Sequence, residues 1–397
     1  MKGPTPRRIR RYVCECLRLK SYLNNPGDGR LRAQIPAQQL VWSLLISYVL
    51  RESSFHAVEA LVCSKARHAL QVGRDFGDDA LAYFTERLDP QPTRAALATA
   101  LAQAKRNKAF DNSRFIGIAV DGTATARSAA QACVFCRPFK GANRDIAGYK
   151  HHVVMGSIVG TGLSLPIDIE PYGPGDSEYA AGQRILQRIV ANLGRRFAQY
   201  VVVDGGLATA PFLHAAEGLG LRVIARLKAN LPELFRAAEV RFQNRGPHRI
   251  FHEGTDRIEI WDADDFDPWE TLEWKTVRVI RYRQHKADGT VIEAYWLTNF
   301  SIHRVGPQSL YRMAKARWEI ENQGFNDAKN RYGFEHMPHH HANSLLVCWL
   351  LLILALTIER LYRLRHLHRG SHTPRSPIEL LRLLRLSLAT AAFVNTS

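Results

Sequence analysis

Two short stretches decide how this sequence folds: residues 115–122 read FIGIAVDG, and residues 200–206 read YVVVDGG. Each is an apolar run of strand length that stops at Asp-Gly, which is typical of a buried strand closed by a turn. Further predicted elements are a hairpin around Gly160-Thr161-Gly162, helices over 178–198 and near 208–219, and a strand over 221–227. The order β–β–β–α–β–α–β indicates an α/β fold on a mixed sheet.

Asp121 and Asp204 occupy equivalent places, because each directly follows one of these strands and precedes glycine. In open α/β sheets ligands gather at the carboxyl ends of strands, so the two carboxylates converge if their strands are neighbours. Such a pair suits a hard cation such as Mg²⁺, which prefers oxygen ligands. The alternative interpretation is that each aspartate caps a turn or the following helix.

A third carboxylate is predicted on the helix containing residues 316–329, ARWEIENQGFNDAK. Glu321 lies three residues after Trp318 and four before Phe325, so a regular helix points it towards the sheet. Glu319 is about 200° away around such a helix and is expected to face solvent. Arg317, one turn before Glu321, either steadies that carboxylate, holds a phosphate, or forms an ordinary i,i+4 pair.

The pattern of residues divides the chain into five regions. They are a helical region at 1–108 for DNA binding or dimerisation, the first part of the sheet core at 109–228, a β-rich insertion at 229–300, a core helix with the third carboxylate at 301–335, and a helical region at 336–397. The acidic stretch at 261–274, WDADDFDPWETLEW, is predicted to be a solvated loop whose tryptophans form a small core of the insertion.

Charge points to a polyanionic partner: the 397 residues include 54 Lys and Arg against 37 Asp and Glu, a formal net charge of +17. Nucleic acid fits best, although a ribosomal or anionic-membrane surface also fits. Six cysteines are too few for a disulfide framework. The basic N-terminus lacks an apolar signal core, and the apolar run at 345–356 is short for a membrane span, so we expect a cytoplasmic protein with a buried helix there.

Several separated segments together resemble the DDE transposases of bacterial insertion sequences, in the insertion sequence 4 type group with an RNase H-like core. The segments are IAVDGT (118–123), GYKHH (148–152), YVVVDGG (200–206), RLKAN (226–230), YWLTN (295–299), and Arg317-Trp318-x-Ile320-Glu321 with Phe325. The sequence departs from the group's Tyr-x2-Arg-x3-Glu-x6-Lys motif at two positions, which hold Ala314 and Ala328. Tyr311 lies one turn early and Lys329 one residue late.

The resemblance implies an RNase H-like mixed-sheet core and an enzyme that cuts transposon ends and joins them to target DNA. It implies that Asp121, Asp204 and Glu321 are both catalytic and metal-binding, with Mg²⁺ as cofactor and Mn²⁺ as a substitute. Its implied partners are double-stranded DNA, as terminal inverted repeats and target, and a second copy of the chain in a synaptic homodimer. The resemblance places it in a bacterial cytoplasm, associated with the nucleoid. Candidate contacts to DNA phosphate are Lys150, Lys228, Arg317 and Lys329.

Other functions stay open at this level. A metal-dependent nuclease on the same fold would cleave without strand transfer, and a catalytically inactive descendant would only bind DNA. A basic structural or RNA-binding protein would bind without Mg²⁺ and would be indifferent to Asp121→Ala.

A CxxC motif at Cys133 and Cys136 has His151 and His152 nearby in sequence. The group either holds zinc or consists of two buried or unpaired thiols. The run His339-His340-His341 follows the predicted Glu321 helix, where it reaches DNA phosphate or metal, or simply forms a polar loop.

Overall fold

A computed structural model describes residues 3–111, 113–367 and 376–394, with fifteen α-helices and ten strands in these ranges. The helices are α1 Pro6–Arg11, α2 Lys20–Asn24, α3 Ala37–Val49, α4 Phe55–Cys63, α5 Arg67–Leu70, α6 Asp78–Arg87, α7 Pro90–Arg106, α8 Glu178–Leu193, α9 Ala210–Gly218, α10 Pro232–Gln243, α11 Pro307–Lys315, α12 Arg317–Glu319, α13 Asn326–Tyr332, α14 Ala342–Leu367 and α15 Pro377–Val394. The strands are β1 Gly117–Ser128, β2 Arg137–Lys140, β3 Ile146–Val159, β4 Leu165–Tyr172, β5 Tyr200–Val203, β6 Arg222–Leu227, β7 Arg249–Glu253, β8 Asp256–Phe266, β9 Val277–His285 and β10 Val291–Thr298.

All ten strands form one mixed sheet in the order β2-β3-β1-β5-β6-β10-β9-β8-β7, with β4 paired to β3. The central strands β1, β5 and β6 are parallel, and their neighbours on both sides run antiparallel to them. Helices precede and follow the sheet in sequence. The predicted mixed α/β sheet, with a β-rich insertion and helical N- and C-terminal regions, is therefore confirmed.

The central strands are apolar because helices cover them. All four residues of β5 are fully buried, as is expected of a parallel strand in the middle of a sheet. Helix α8 packs on β3 and β4 through Ile185, Leu186 and Ile189. A side chain at Gly156 of β3 would lie 2.2 Å from the Ile189 Cδ1 atom, so the glycine allows this helix to approach the sheet closely.

Strand β1 does not end at Asp121 as predicted. It continues to Ser128 and pairs with β3 along most of this length, down to Ser128 opposite Tyr149. Gly122 makes no turn, because the antiparallel ladder with β3 holds it in the strand opposite Val154. The same Asp-Gly pair behaves as predicted after β5, where Asp204 precedes a 3-10 turn at Gly205–Leu207.

The β-rich insertion extends the central sheet, because β10 pairs with β6 from Tyr295 opposite Leu227 to Thr298 opposite Ile224. One prediction here is wrong: Asp262 does not lie in a solvated loop. It belongs to β8 and is 3% exposed, and its two carboxylate oxygens accept hydrogen bonds at 2.8 and 2.6 Å from Arg278. A buried guanidinium and carboxylate compensate each other, which explains an aspartate in this core. Trp261 is buried, in agreement with the predicted core of tryptophans.

Helix α14 forms the core of the C-terminal region. Its stretch Ala342–Arg365 is long and apolar enough to cross a membrane, but 94% of its most apolar window is buried inside the protein. It packs against β4 and the N-terminal helices α3, α6 and α7, in agreement with the predicted buried helix. Ion pairs also connect β4 to the helices around it. Asp168 of β4 accepts hydrogen bonds from Arg94 of α7 at 3.0 Å and from Arg188 of α8 at 2.5 Å.

Candidate active site

Asp121 and Asp204 lie side by side because their strands are paired in register. Val120 of β1 is aligned with Val203 of β5 in a parallel pair, and each aspartate is the next residue along its strand. The guanidinium of Arg317 acts electrostatically on both carboxylates, so both face the same space. This is the convergence at the carboxyl ends of neighbouring strands that the sequence predicted.

Arg317 connects the first aspartate to the predicted third carboxylate. Its Nη1 atom donates hydrogen bonds to Asp121 Oδ2 at 3.3 Å and to Glu321 Oε1 at 2.8 Å. The arginine is buried, whereas the Glu321 side chain is 42% exposed at the mouth of the site. The guanidinium therefore joins the carboxylates of Asp121 and Glu321, while Asp204 is bonded to Lys228.

The two aspartates differ in their electrostatic surroundings. Burial raises the pKa of Asp121 to about 7; Arg317 opposes this rise, and the neighbouring carboxylates of Glu321 and Glu178 add to it. Burial also disfavours the charged form of Asp204, but hydrogen bonds from Lys228 and the Gly205 N–H hold its pKa below the usual value. Lys228 Nζ lies 3.0 Å from Asp204 Oδ1. Concentrated negative charge in the site is thus balanced by two cations.

A further carboxylate, that of Glu178, lies against Gly122, the residue that follows Asp121 on β1. It begins α8, and a side chain at Gly122 would lie 2.3 Å from its Cδ atom. The Tyr172 hydroxyl donates a hydrogen bond to Glu178 Oε2 at 3.3 Å. Sequence reasoning did not identify this residue, since no short-range motif connects it to Asp121.

The arrangement fits divalent metal ions. Carboxylate oxygens are the ligands that hard cations prefer, and the side chains of Asp121, Asp204 and Glu321 present them from three separate elements. Arg317 and Lys228 show that this pocket already requires positive charge.

The family model described as the transposase DDE domain matches residues 113–358, a range that begins before β1 and ends inside α14. This chain belongs to that family. It is a DDE transposase, an enzyme that cleaves DNA and transfers strands with divalent metal ions. Among curated proteins none matches the sequence significantly. Among solved structures the chain is similar to a piggyBac transposase synaptic complex with hairpin DNA, with 10% identity over 98% of this chain and 81% of that one and a TM-score of 0.46.

The position of Glu319 in the transposase corrects a sequence-based expectation. Instead of facing solvent, it is half-buried and accepts a hydrogen bond at 3.0 Å from the N–H of Gly160, in the turn between β3 and β4. Burial raises its pKa to about 7, although the Gly160 N–H favours the charged form. The helix geometry correctly separated Glu319 from Glu321, but the far side of this helix faces the β3–β4 turn rather than open solvent.

A π-helical segment at Ile320–Phe325 explains why Lys329 lies one residue late. A π-helical turn takes up one more residue than an α-helical turn, so residues beyond it are rotated relative to a regular helix. Lys329 Nζ donates a hydrogen bond at 2.8 Å to the carbonyl oxygen of Ala124, three residues beyond Asp121 on β1. Tyr311, the displaced tyrosine, contacts Glu253 of the insertion at 3.2 Å instead.

The four candidate phosphate contacts are not all close to the carboxylates. Lys228 bonds to Asp204 and Arg317 bonds to Asp121. Lys329 bonds to the carbonyl oxygen of Ala124, three residues after Asp121 on β1. Lys150 lies on β3 five residues before Met155, which is opposite Asp121, so it is roughly 17 Å further along the sheet. Its Nζ atom lies 4.4 Å from the centre of the Phe139 ring.

Proposed function

We propose that the transposase cuts transposon ends and joins them to target DNA at a centre formed by Asp121, Asp204 and Glu321. The supporting observation is the in-register pairing of β1 with β5, which brings the two aspartates together, with Glu321 joined to Asp121 through Arg317. In this proposal the three carboxylates bind Mg²⁺, and Mn²⁺ can substitute for it. A bound pair of such ions would activate water or a 3′ hydroxyl and stabilise the leaving oxygen at the scissile phosphate.

The cations around the centre have a second role in this proposal. Arg317 and Lys228 form ion pairs with the carboxylates in the free protein, and we propose that both turn to phosphate oxygens when DNA enters. Lys329 holds its ammonium group beside β1 on the same side of the site. Lys150 would contact the DNA backbone further from the scissile bond.

The proposed substrates are double-stranded terminal inverted repeats and a target duplex. The formal net charge of +17 supports a long polyanionic partner. We further propose a synaptic homodimer, with residues 1–108 serving DNA binding or dimerisation. By its resemblance to the insertion sequence 4 type group, the protein belongs to a bacterial insertion sequence and acts in the cytoplasm, on the nucleoid.

The test is DNA cleavage and joining with Mg²⁺ or Mn²⁺, using the ends that flank the gene in its genomic locus. Asp121→Asn, Asp204→Asn and Glu321→Gln should each abolish nicking and joining while leaving DNA binding intact. Glu319→Gln is the matched control on the same helix and should keep activity. Full activity in Glu321→Gln, together with loss in Glu319→Gln, would show that the third ligand is Glu319. Cleaved ends without joined product would reveal a nuclease without strand transfer.

A further inference from the structure

We propose that Cys133, Cys136, His151 and His340 bind a structural zinc ion, separate from the carboxylate centre. One ligand atom from each of these four side chains lies within 4.8 Å of the other three. The close pairs are Cys133 Sγ to His151 Nε2 at 3.2 Å, Cys136 Sγ to His151 Nε2 at 3.5 Å, Cys136 Sγ to His340 Nε2 at 3.1 Å, and the two sulfurs at 3.6 Å.

These four of the six ligand–ligand separations are close to those of a tetrahedral zinc site, and the other two are no longer than 4.8 Å. With Zn–S bonds near 2.3 Å and Zn–N bonds of 2.0 to 2.1 Å, ligand atoms at the corners of a tetrahedron lie about 3.3 to 3.8 Å apart. The four measured pairs lie in or just below this range. Two thiolates and two neutral imidazoles also balance the charge of Zn²⁺, and soft sulfur donors favour zinc over the hard cations that suit carboxylates.

The surroundings prepare His151 to be a ligand. Its Nδ1 atom lies 3.0 Å from the carbonyl oxygen of Ala126 in β1. A carbonyl oxygen can only accept a hydrogen bond, so Nδ1 must carry the hydrogen in this contact. The Nε2 atom then has a free lone pair, which is directed at the two sulfurs. Cys136 and His151 are fully buried, so their polar atoms have exchanged water for one another.

Four protein ligands leave no open coordination position, which is the mark of a structural rather than a catalytic zinc. The ligands come from three distant parts of the chain: the loop between β1 and β2, strand β3, and the segment between α13 and α14. His340 is 204 positions after Cys136. The ion would therefore fasten the segment that follows the Glu321 helix to the far half of β1, the strand that carries Asp121.

The two metal sites differ in ligand chemistry, which allows one to be altered without the other. Zinc content measured on the purified full-length protein should be about one ion per chain after dialysis without chelator. Replacement by Co²⁺ should give the intense visible absorption of tetrahedral cobalt with thiolate ligands. His340→Gln and Cys136→Ser should each lower zinc retention at least tenfold in competition with a chelator and weaken the cobalt spectrum.

Matched controls are His341→Gln, the neighbouring exposed histidine, and Cys63→Ser, an exposed cysteine far from the cluster. Both should retain zinc, and so should Asp121→Asn. If the Cys136 variant does not fold, zinc content and the cobalt spectrum of the wild-type chain still decide the question. The proposal is overturned if the wild-type protein binds no stoichiometric zinc, if a Cys133–Cys136 disulfide replaces it, or if Asp121→Asn removes the ion.

Discussion

Arg317 donates a hydrogen bond to Asp121, a residue 196 positions earlier in the chain, while the same nitrogen bonds to Glu321 one helical turn away. The guanidinium thus occupies the region where the carboxylates would bind cations. The arginine and a divalent metal ion would both compensate the negative charge of the same carboxylates, so the presence of one reduces the stabilisation that the other can add.

Arg317→Met should expose this competition. The variant keeps an apolar side chain of similar reach but leaves Asp121 and Glu321 without their shared cation, at a cost of about 1–3 kcal/mol in the free energy of unfolding without divalent ions. Thermal unfolding should therefore show a larger Mg²⁺-induced rise in melting temperature for the variant than for the wild type. An equal rise in the two proteins would mean that Arg317 and the metal do not share a site.

Glu319→Gln should stabilise the protein in alkaline but not in acidic solution. The pKa of Glu319 rises from 4.5 to about 7 on folding, so the folded state holds its proton more tightly than the unfolded state. Its ionisation therefore costs stability as pH rises through this window, and the full cost is present above pH 7. Gln avoids that cost and still accepts the hydrogen bond from Gly160.

Urea unfolding at pH 8 and pH 5 measures this effect. We expect Glu319→Gln to gain about 2 kcal/mol at pH 8 relative to its difference at pH 5. Glu270→Gln, at an exposed position in the insertion, should show no such dependence on pH. A gain of equal size at both pH values would show that packing, not the buried charge, distinguishes the variant.

Lys329→Met tests whether the lysine displaced by the π-helical segment faces DNA. Removing one phosphate contact should weaken binding and reduce the slope of log K against log salt by about 0.9. Lys105→Met is a matched control, because Lys105 Nζ also donates to a backbone carbonyl, that of Phe197 at 2.7 Å, but at the amino-terminal edge of the sheet. Equal slopes for Lys329→Met and the wild type would place Lys329 outside the DNA interface.

Asp262→Ala should be strongly destabilising, because it leaves the buried Arg278 guanidinium without its carboxylate. The expected loss is about 3–5 kcal/mol in the free energy of unfolding. A double variant, Asp262→Leu with Arg278→Met, should recover most of this loss by replacing the pair with apolar side chains. Chemical unfolding of Asp262→Leu, Arg278→Met and the double variant gives the coupling energy, and additive effects would mean that the two charges do not depend on each other.

Parts of the site could be predicted from sequence because they depend on local patterns. The apolar runs before Asp121 and Asp204 define buried strands, and the carboxyl ends of adjacent strands meet at one edge. Helical periodicity predicted that Glu321 faces the sheet, and it is bonded through Arg317 to Asp121, although the segment that contains it is π-helical. The turn predicted at Gly122 is absent, because Asp-Gly favours a turn only where no ladder such as that with β3 holds the strand.

Long-range contacts account for what the sequence could not reveal. Glu319 meets Gly160, and Asp262 meets Arg278, only after the chain has folded. The π-helical segment at Ile320–Phe325 has no residue pattern of its own, so a regular helical spacing after Glu321 predicts a lysine at position 328 and not at Lys329. His340 contacts Cys136 of the CxxC motif although it lies 204 positions later in the chain. His152, which is nearer in sequence, packs beside the ring of Tyr172 instead.

The order in which these parts occur along the chain has a consequence for synthesis on the ribosome. A nascent chain that ends at Leu227 already contains Asp121, Asp204 and their paired strands, but it contains neither Arg317 nor Glu321. Arg317 and Glu321 follow the whole insertion, residues 229–300, so they are translated only after it. Under the proposed function, polypeptides released before residue 321 lack one of the three proposed metal ligands and should not cleave DNA.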